Sequence, residues 1–256
     1  MTSTTHRAAA PAQRLAAQGK YELIAMLKNG EQLMLNIAFP IMALFAMSWT
    51  HFLDPYAAEF GVSRIDIAVP GVLALCVIST ALSGQGIATG FDRRYGVLRF
   101  LSTTPLGRSG LVIGKILAVL GIICIQYALV CIIGWCLGWD GNLFGVLLSI
   151  PTLLLGAAAF TSLGLLIAGT VRAEATLAIV NMAWVLLAAG GGTLIPVHHM
   201  PNAINFLVSI LPSGALGNVL RAEFLHHQFL VIPHLVMLLW AVICGTLTSR
   251  LFKWSA

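Results

Sequence analysis

Two short patterns in the sequence contain side chains of the kind that catalyse reactions. Residues 107–110 read Gly-Arg-Ser-Gly, the G-x-S-G pattern of intramembrane serine proteases, and His234 is a possible base for Ser109. The run GLVIGK ends at Lys115, but Ile116 follows it, whereas a phosphate-binding loop requires G-x-x-x-x-G-K-[ST]. We therefore find no Walker motif in these 256 residues. A protease remains an alternative that requires the serine and the histidine to meet.

Two histidine pairs form a third candidate site. His198 and His199 precede an apolar stretch, and His226 and His227 follow it, so the pairs could meet around a metal such as zinc. Solvated loop histidines near a membrane interface explain the same pattern, and we favour that interpretation. We therefore predict no metal site, no catalytic residue and no cofactor in this chain.

The composition determines which elements must position these residues. Hydrophobic residues make up 59% of the chain and charged residues only 9%, against roughly 25% charged in a soluble domain. A membrane-spanning helix needs about 20 apolar residues, and the runs lack the alternation of barrel strands. The sequence predicts six transmembrane helices, at approximately 33–52, 68–89, 111–137, 143–169, 175–195 and 229–249.

The distribution of basic residues predicts the orientation. Of the 14 lysines and arginines, only Arg64 and Arg221 fall on one side of the six-helix map. Since basic residues near span ends resist translocation, both termini are expected to be cytoplasmic, in a bacterial cytoplasmic membrane. The net charge of +5 is then a topology signal and does not indicate nucleic acid. Residues 1–32 lack the apolar core of a removable signal peptide, so we expect the first span to anchor the chain.

The segment before the first span is predicted to be an amphipathic helix at about 13–30. Its apolar arc comprises Leu15, Ala16, Gly19, Leu23, Met26 and Leu27. Its polar arc comprises Arg14, Gln18, Glu22, Lys28 and Asn29. Such a helix either lies on the inner membrane surface as an anchor or is offered to a soluble partner.

The cytoplasmic segment between spans two and three is predicted to contain a second short helix, at 91–102. Phe91, Tyr95, Leu98 and Leu101 recur at helical spacing, and Pro105 disfavours continuation. The arginines of the segment would then point outward. The segment is longer than a connection between adjacent helices requires, so we expect another protein to dock there.

The order of residues in this segment resembles the equivalent segment of type-2 ATP-binding-cassette exporter permeases. The matching positions are Asp92, Arg93, Gly96, Leu98, Arg99, Pro105, Arg108, Gly114 and Lys115. The chain departs from the pattern at Arg94, where many members carry Glu, and at Val97, where they carry Thr. The segment between spans five and six is also similar to the family's external segment. Its matching positions are Pro196, Met200, Pro201, Leu211, Pro212, Leu220 and Arg221.

The resemblance implies one all-α membrane domain over 1–256, with a tail and amphipathic helix at 1–32 and six helices at 33–256. It implies that two such chains, identical or homologous, enclose a path in the lipid membrane and bind two cytoplasmic ATPase subunits carrying ATP and Mg²⁺. Coupling to the ATPase is expected at Phe91, Asp92, Arg93, Arg94, Tyr95, Gly96, Leu98, Arg99 and Pro105. An external gate, built of short re-entrant helices, is expected around Pro196, Pro201, Pro212 and Arg221.

The function implied is that of a multidrug-efflux-like exporter permease for a hydrophobic or amphipathic drug, lipid or glycolipid, without catalytic activity of its own. Neither the substrate nor the identity of the second permease chain can be read from the residues. An ion-coupled secondary transporter is the second alternative. It is disfavoured because the sequence places no charged residue deep in a span.

Overall fold

The fold of residues 9–195 and 201–253 is described by a computed structural model. These residues form helices joined by turns, with no strand in the described ranges. The helices are α1 (Pro11–Lys28), α2 (Gly30–Trp49), α3 (Asp54–Phe60), α4 (Arg64–Val77), α5 (Gln85–Arg94), α6 (Val97–Leu101), α7 (Gly107–Cys136), α8 (Leu143–Thr170), α9 (Ala173–Gly190), α10 (Asn202–Ile210), α11 (Pro212–Leu225) and α12 (Val231–Leu251). The all-α prediction is confirmed.

Six helical segments of the described chain are long and apolar enough to cross a membrane, in agreement with the sequence prediction. They are Gln32–Trp49, Arg64–Arg94, Gly107–Cys136, Leu143–Thr170, Ala173–Gly190 and Val231–Leu251. The second span is five residues longer at its C-terminal end than the predicted 68–89. The predicted span was too short because the last turn of the helix is polar. In the structure that turn packs against other parts of the protein.

The second span is the centre of the bundle, with 94% of its most apolar window buried inside the protein. A capping box of Ser63 and Asp66 begins α4. A π-helical stretch over Ile78–Gly84 joins α4 to α5. Such a stretch has hydrogen bonds five residues apart in place of four and frequently occurs at functional sites.

Spans two and four approach most closely where two glycines face each other. A Cβ on Gly164 would lie 2.8 Å from the carbonyl oxygen of Leu82 and 3.4 Å from the Cα of Gly86. Helices in lipid associate through such small residues because close backbone contact maximises van der Waals packing. The small-residue run LSGQGIATG at residues 82–90 of span two therefore packs against α8.

Buried amides join the first three spans. The side chain of Gln126 on α7 accepts a hydrogen bond from Thr80, at 3.1 Å, and donates one to the carbonyl of Asn36, at 2.6 Å. An amide in a bundle core must find such partners because hydrocarbon offers none. These bonds fix the rotation of the π-helical stretch relative to its neighbours.

Candidate functional site

The predicted coupling helix at 91–102 is divided in the structure. α5 ends at Arg94, and α6 occupies only Val97–Leu101. Between them Gly96 adopts φ +78°, a left-handed conformation that ends a helix and that only glycine adopts without strain. The prediction of one continuous helix was therefore wrong, because Gly96 was treated as a helical residue.

The division also separates the residues that were predicted to share one apolar face. Leu98 is fully buried and packs with Leu111 and Phe252. Tyr95 and Phe100 are 73% and 71% exposed. α6 is therefore held by Leu98, with Leu101 packed against the same cluster, while two aromatic rings of the segment point outward.

The arginines of the segment do not all point outward, contrary to the prediction. Arg93 is buried and donates to the carbonyls of Ala168, at 2.8 Å, and Val171, at 2.5 Å. Those carbonyls lie at the end of α8, where the last backbone acceptors lack intrahelical partners. Arg94 forms an ion pair with Glu174 on α9, at 2.5 Å. Both arginines thus attach the segment to the connection between α8 and α9.

The remaining predicted coupling residues are placed as follows. Arg99 and Pro105 are exposed, and the Pro105 carbonyl accepts a hydrogen bond from Arg14 of α1. Phe91 is half-buried and its ring stacks on Tyr95, with centroids 6.1 Å apart. The segment therefore contacts α1 directly, a contact that the sequence did not predict.

A buried charge cluster lies directly behind the segment. Lys115 has no solvent exposure, and its ammonium lies 2.9 Å from a carboxylate oxygen of Glu22 and 3.4 Å from one of Asp92. Gln85 accepts a third bond from the ammonium at 3.4 Å. Gln18 donates to Glu22 at 2.9 Å. The cluster joins α1, α5 and α7 by charge-assisted bonds in a buried site.

The buried face of α1 differs from the predicted one. Gln18 and Glu22, assigned to the polar arc, are buried with Gly19 and Met26, while Tyr21, Ile24 and Leu27 are exposed. Residues four positions apart lie on one side of a helix, so Glu22 and Met26 must face the same neighbour. That neighbour is α7, and the polar side chains face it because Lys115 is there.

A cavity of about 790 Å³ opens between α2, α5, α9 and the π-helical stretch. Amide and hydroxyl groups line it together with aromatic rings, including Asn36, Asn181, Ser83, Phe39 and Trp184. The indole of Trp184 donates to the hydroxyl of Ser79 at 2.8 Å and packs edge-on against Phe39. A mixture of this kind accommodates a molecule with an apolar body and a few polar groups.

The predicted external gate consists of α10 and α11, which meet at an angle of 86°. Pro201 precedes the first residue of α10, and Pro212 is the first residue of α11, where its missing N–H costs nothing. Pro196 lies outside the described residues. Short helices were predicted here without bounds, and the two that the structure describes are α10 and the longer α11.

Arg221, the fourth predicted gate residue, is buried inside the protein. Its guanidinium donates to the carbonyls of Thr193, at 2.8 Å, and Gly192, at 2.6 Å. These carbonyls belong to the chain leaving α9. Arg221 therefore fixes α11 to the end of the fifth span.

A second buried polar cluster was missed by the sequence analysis. The hydroxyl of Thr152 on α8 donates to Glu223 of α11 at 2.6 Å and lies 2.9 Å from Nε2 of His234 on α12. Nδ1 of His234 faces the carbonyl of Leu230 at 2.6 Å. Glu223 is fully buried, and its other oxygen, Oε2, has no partner among the described residues. The sequence offered no signal because residue 223 was assigned to an external loop.

The position of His234 contradicts the protease hypothesis. Ser109 lines a groove beside Ser249 in the last turns of α12, and His234 precedes Ser249 by 15 residues on the same helix. At 1.5 Å per residue the serine and the histidine are separated by about 20 Å, far beyond hydrogen-bond reach.

One of the two predicted histidine pairs lies within the described residues. His198 and His199 lie outside the described residues. His226 packs against the ring of Phe60, and His227 lies 3.3 Å from the carbonyl of Glu223. A zinc site between the pairs stays a hypothesis that the sequence analysis disfavours.

The loop after α2 contains a charge cluster of its own. The Nδ1 atom of His51 lies 2.7 Å from Asp54, and Arg64 forms an ion pair with the same carboxylate. The hydrogen bond to His51 and the contact with Arg64 lower the pKa of Asp54 below its ordinary value of 3.8. This cluster orders the loop that carries α3.

The family to which these features belong is decided by comparison with known proteins. A family model described as ABC-2 type transporter matches residues 14–225, which include α1, the cavity, the buried lysine and the bent pair of helices. The chain belongs to the ABC-2 type transporter family. The predicted family is confirmed.

A relative supports the assignment. ABC transporter G family member 20 of Dictyostelium discoideum is 27% identical over 187 residues. The aligned region covers 70% of this chain but only 25% of that protein, so the chain spans about a quarter of the length of its relative. The matched region of the chain is thus an ABC-2 type transporter domain.

Proposed function

We propose that this ABC-2 chain is the permease of an ATP-binding-cassette exporter that carries a hydrophobic or amphipathic compound across the membrane. Two permease chains enclose the path. Two cytoplasmic ATPase subunits bind the end of each chain that carries most of its lysines and arginines, which we call the basic end. The conformational change of the ATPase is transmitted to the exposed tip of the segment between α5 and α7, which consists of Tyr95, Arg99 and Phe100. A nucleotide can move the permease only if the ATPase contacts this tip differently in its two states.

The buried Lys115 cluster is the observation that carries this proposal. It ties α1 and α7 to the end of α5, directly before the exposed tip at Tyr95, Arg99 and Phe100. If the tip moved without α1 and α7, the ion pairs of Lys115 would separate, and separating buried charges costs free energy. The tip and three helices therefore move as one body.

The nature of the cargo is supported by the cavity between α2, α5 and α9. Its volume of about 790 Å³ is within the range of small-molecule sites, roughly 300–1,000 Å³. The rings of Phe39 and Trp184 provide apolar surface, whereas Asn36 and Asn181 provide hydrogen-bonding groups. Asp92 at the cavity rim is already engaged by Lys115. We infer that a compound with a large apolar part and few polar groups binds there.

The bent pair α10 and α11 is proposed to close the path at its outer end. Arg221 ties α11 to the end of α9, and α9 also lines the cavity. A movement of α9 is therefore transmitted to the outer helices through the two hydrogen bonds of the Arg221 guanidinium.

The coupling role is tested best with exposed residues of the tip. Leu98 is fully buried, so a charge there would disrupt the local fold. Phe100→Asp instead alters only the exposed surface. We expect it to reduce ATP-driven transport in inverted vesicles at least tenfold and to weaken co-purification of the ATPase, while the amount of inserted permease is unchanged. Phe52→Asp, at an exposed aromatic residue in the loop after α2, is the matched control.

If Phe100→Asp transports as well as Phe52→Asp, the tip does not receive the ATPase. Transport by the purified chain without any ATPase would overturn the exporter proposal itself.

A further inference from the structure

A groove on the outer surface of the bundle runs between α7, α8 and α12, on helices that take no part in lining the cavity. It encloses about 330 Å³ and is lined by Ser109, Ile116, Ala158, Ser162, Ala241 and Ser249, among others. Its two ends on α12 are Ala241, near the middle of the helix, and Ser249, in the last turn. These residues are eight positions apart, which corresponds to about 12 Å of helix. The groove therefore extends from the basic end of the bundle through about one leaflet of a bilayer whose core is roughly 30 Å thick.

The groove exists because its floor consists of small residues. A Cβ on Gly245 would meet only the hydroxyl oxygen of Ser162, at 3.5 Å, and Ala158 lies on the same wall. Larger apolar side chains, Ile113 and Val242, line it as well and are exposed beside it. A slot with hydrophobic walls fits a lipid acyl chain, and acyl chains surround membrane-spanning helices.

Positive charge lies at the basic end of the groove. The NH1 group of Arg108 donates to the carbonyls of Arg250, at 3.0 Å, and Ser249, at 3.4 Å. Its Nε and NH2 groups, with three of the five guanidinium donors, have no bond to any described residue. Arg250 is exposed beside it. Within the described chain neither arginine has a carboxylate at ion-pair distance. By contrast, Arg14, Arg93 and Arg94 at the same end form hydrogen bonds or ion pairs with other helices or loops.

We propose that this groove binds one anionic phospholipid from the leaflet at the basic end of the bundle. One acyl chain occupies the slot between α7, α8 and α12. The phosphate accepts hydrogen bonds from the free donors of Arg108 and from Arg250. A guanidinium binds phosphate with two parallel hydrogen bonds, and basic sites between transmembrane helices bind anionic head groups. The bound lipid would thereby fasten the end of α12 to the start of α7.

The proposal is tested by native mass spectrometry of the purified full chain with dioleoyl phosphatidylglycerol or dioleoyl phosphatidylcholine. These probes share their acyl chains and differ in net charge. We expect tighter binding of phosphatidylglycerol, because the cationic choline of phosphatidylcholine offsets the charge of its phosphate. We expect R108Q/R250Q to reduce the affinity for phosphatidylglycerol about tenfold or more and the affinity for phosphatidylcholine by a smaller factor. K20Q/R172Q, which also removes two positive charges at the same end of the bundle and outside the groove, is the matched control for charge.

A second variant tests the acyl slot separately. Gly245→Leu fills the groove and should abolish the tight site for both lipids, whereas Gly245→Ala should leave it. Equal binding of the two lipids by the unaltered chain, or equal losses in R108Q/R250Q and K20Q/R172Q, would overturn the proposed head-group site. Undiminished binding by Gly245→Leu would overturn the slot. None of these results depends on ATP or on the transported compound.

Discussion

A single lysine determines how the basic end of this molecule is assembled. Lys115 lies eight residues inside α7, with no solvent exposure, and contacts two carboxylates from two other helices. Burying an ammonium is unfavourable unless several acceptors replace its water shell. Glu22, Asp92 and Gln85 supply them. The sequence alone could identify Lys115 as the opening of the third span, but it could not show which carboxylates would reach it.

Removal of the lysine should cost more than removal of one carboxylate. Lys115→Met leaves the buried Glu22 and the partly exposed Asp92 without a cation. Breaking a buried pair such as Lys115–Glu22 in this way costs about 3–5 kcal/mol. Glu22→Gln leaves the ammonium paired with Asp92, so we expect a smaller loss. The double variant K115M/E22Q should be more stable than Lys115→Met alone. The free energy of unfolding in mixed detergent and SDS provides the measurement.

The control for this series is Lys20→Met, because Lys20 is exposed and lies two residues from Glu22. It should be nearly neutral. A Lys115→Met variant as stable as Lys20→Met would show that the cluster does not hold the helices together.

At the scale of the element, α1 shows where hydrophobicity fails as a guide. Its existence and approximate bounds were predictable from apolar periodicity, but its buried face was not. The helical wheel placed Glu22 toward water because a carboxylate in isolation prefers water. A partner buried on α7 reverses that preference, and a partner on another helix cannot be seen in the periodicity of one segment.

The docking of α1 depends on close approach at Gly114. A Cβ at this position would lie 2.5 Å from Cγ of Gln18 and 3.5 Å from the backbone nitrogen of Gly19. Gly114→Leu should therefore push α1 away from α7, because overpacking costs about 1–3 kcal/mol. In a background with the native cysteines replaced, the maleimide labelling rate of Leu23→Cys should rise roughly tenfold.

The matched control for this experiment is Gly30→Leu. Gly30 is exposed, and no neighbouring atom lies within 4 Å of the position that a Cβ would occupy there. The labelling rate at residue 23 should remain unchanged in this variant. Equal rates in Gly114→Leu and Gly30→Leu would mean that α1 is not held by this crossing.

The division of the coupling segment illustrates the same limit of sequence reasoning. Spacing of apolar residues predicted one helix over 91–102, whereas one left-handed glycine divides it. Gly96 was visible in the sequence, but glycine occurs both inside helices and at their ends. Only the three-dimensional position of Leu98 against α7 determines that the chain must turn there.

At the scale of the whole molecule, the number of spans was predictable and the burial of their ends was not. Six apolar runs follow from the cost of exposing backbone to lipid, a constraint that acts on every residue. The length of α11 was not predictable because the helix is only moderately apolar. Burial against α4, α8 and α12 stabilises it, and these contacts cannot be read from its own sequence. Glu223, carried by α11, was accordingly misplaced in a loop.

The cavity indicates which face of the bundle meets another protein. Asn36 and Asn181 open into it from α2 and α9, and amides facing hydrocarbon lose their hydrogen-bonding partners. Both helices also expose large apolar side chains, among them Met42 and Met182. A second permease chain over α2 and α9 would cover the amides and complete the path, and α12 would then face lipid.

Cysteine cross-linking distinguishes these two faces. In the cysteine-free background, Met182→Cys should form disulfide-linked dimers, because residue 182 lies mid-span on α9 and is 63% exposed. Leu239→Cys, at a similar depth on α12 and 58% exposed, should remain monomeric. If the second chain is a homologue, the same cysteine should instead cross-link to it once a cysteine is placed at its equivalent position, giving a product of different mass. Dimers formed by Leu239→Cys and not by Met182→Cys would place the partner on α12, and the cavity would then open to lipid.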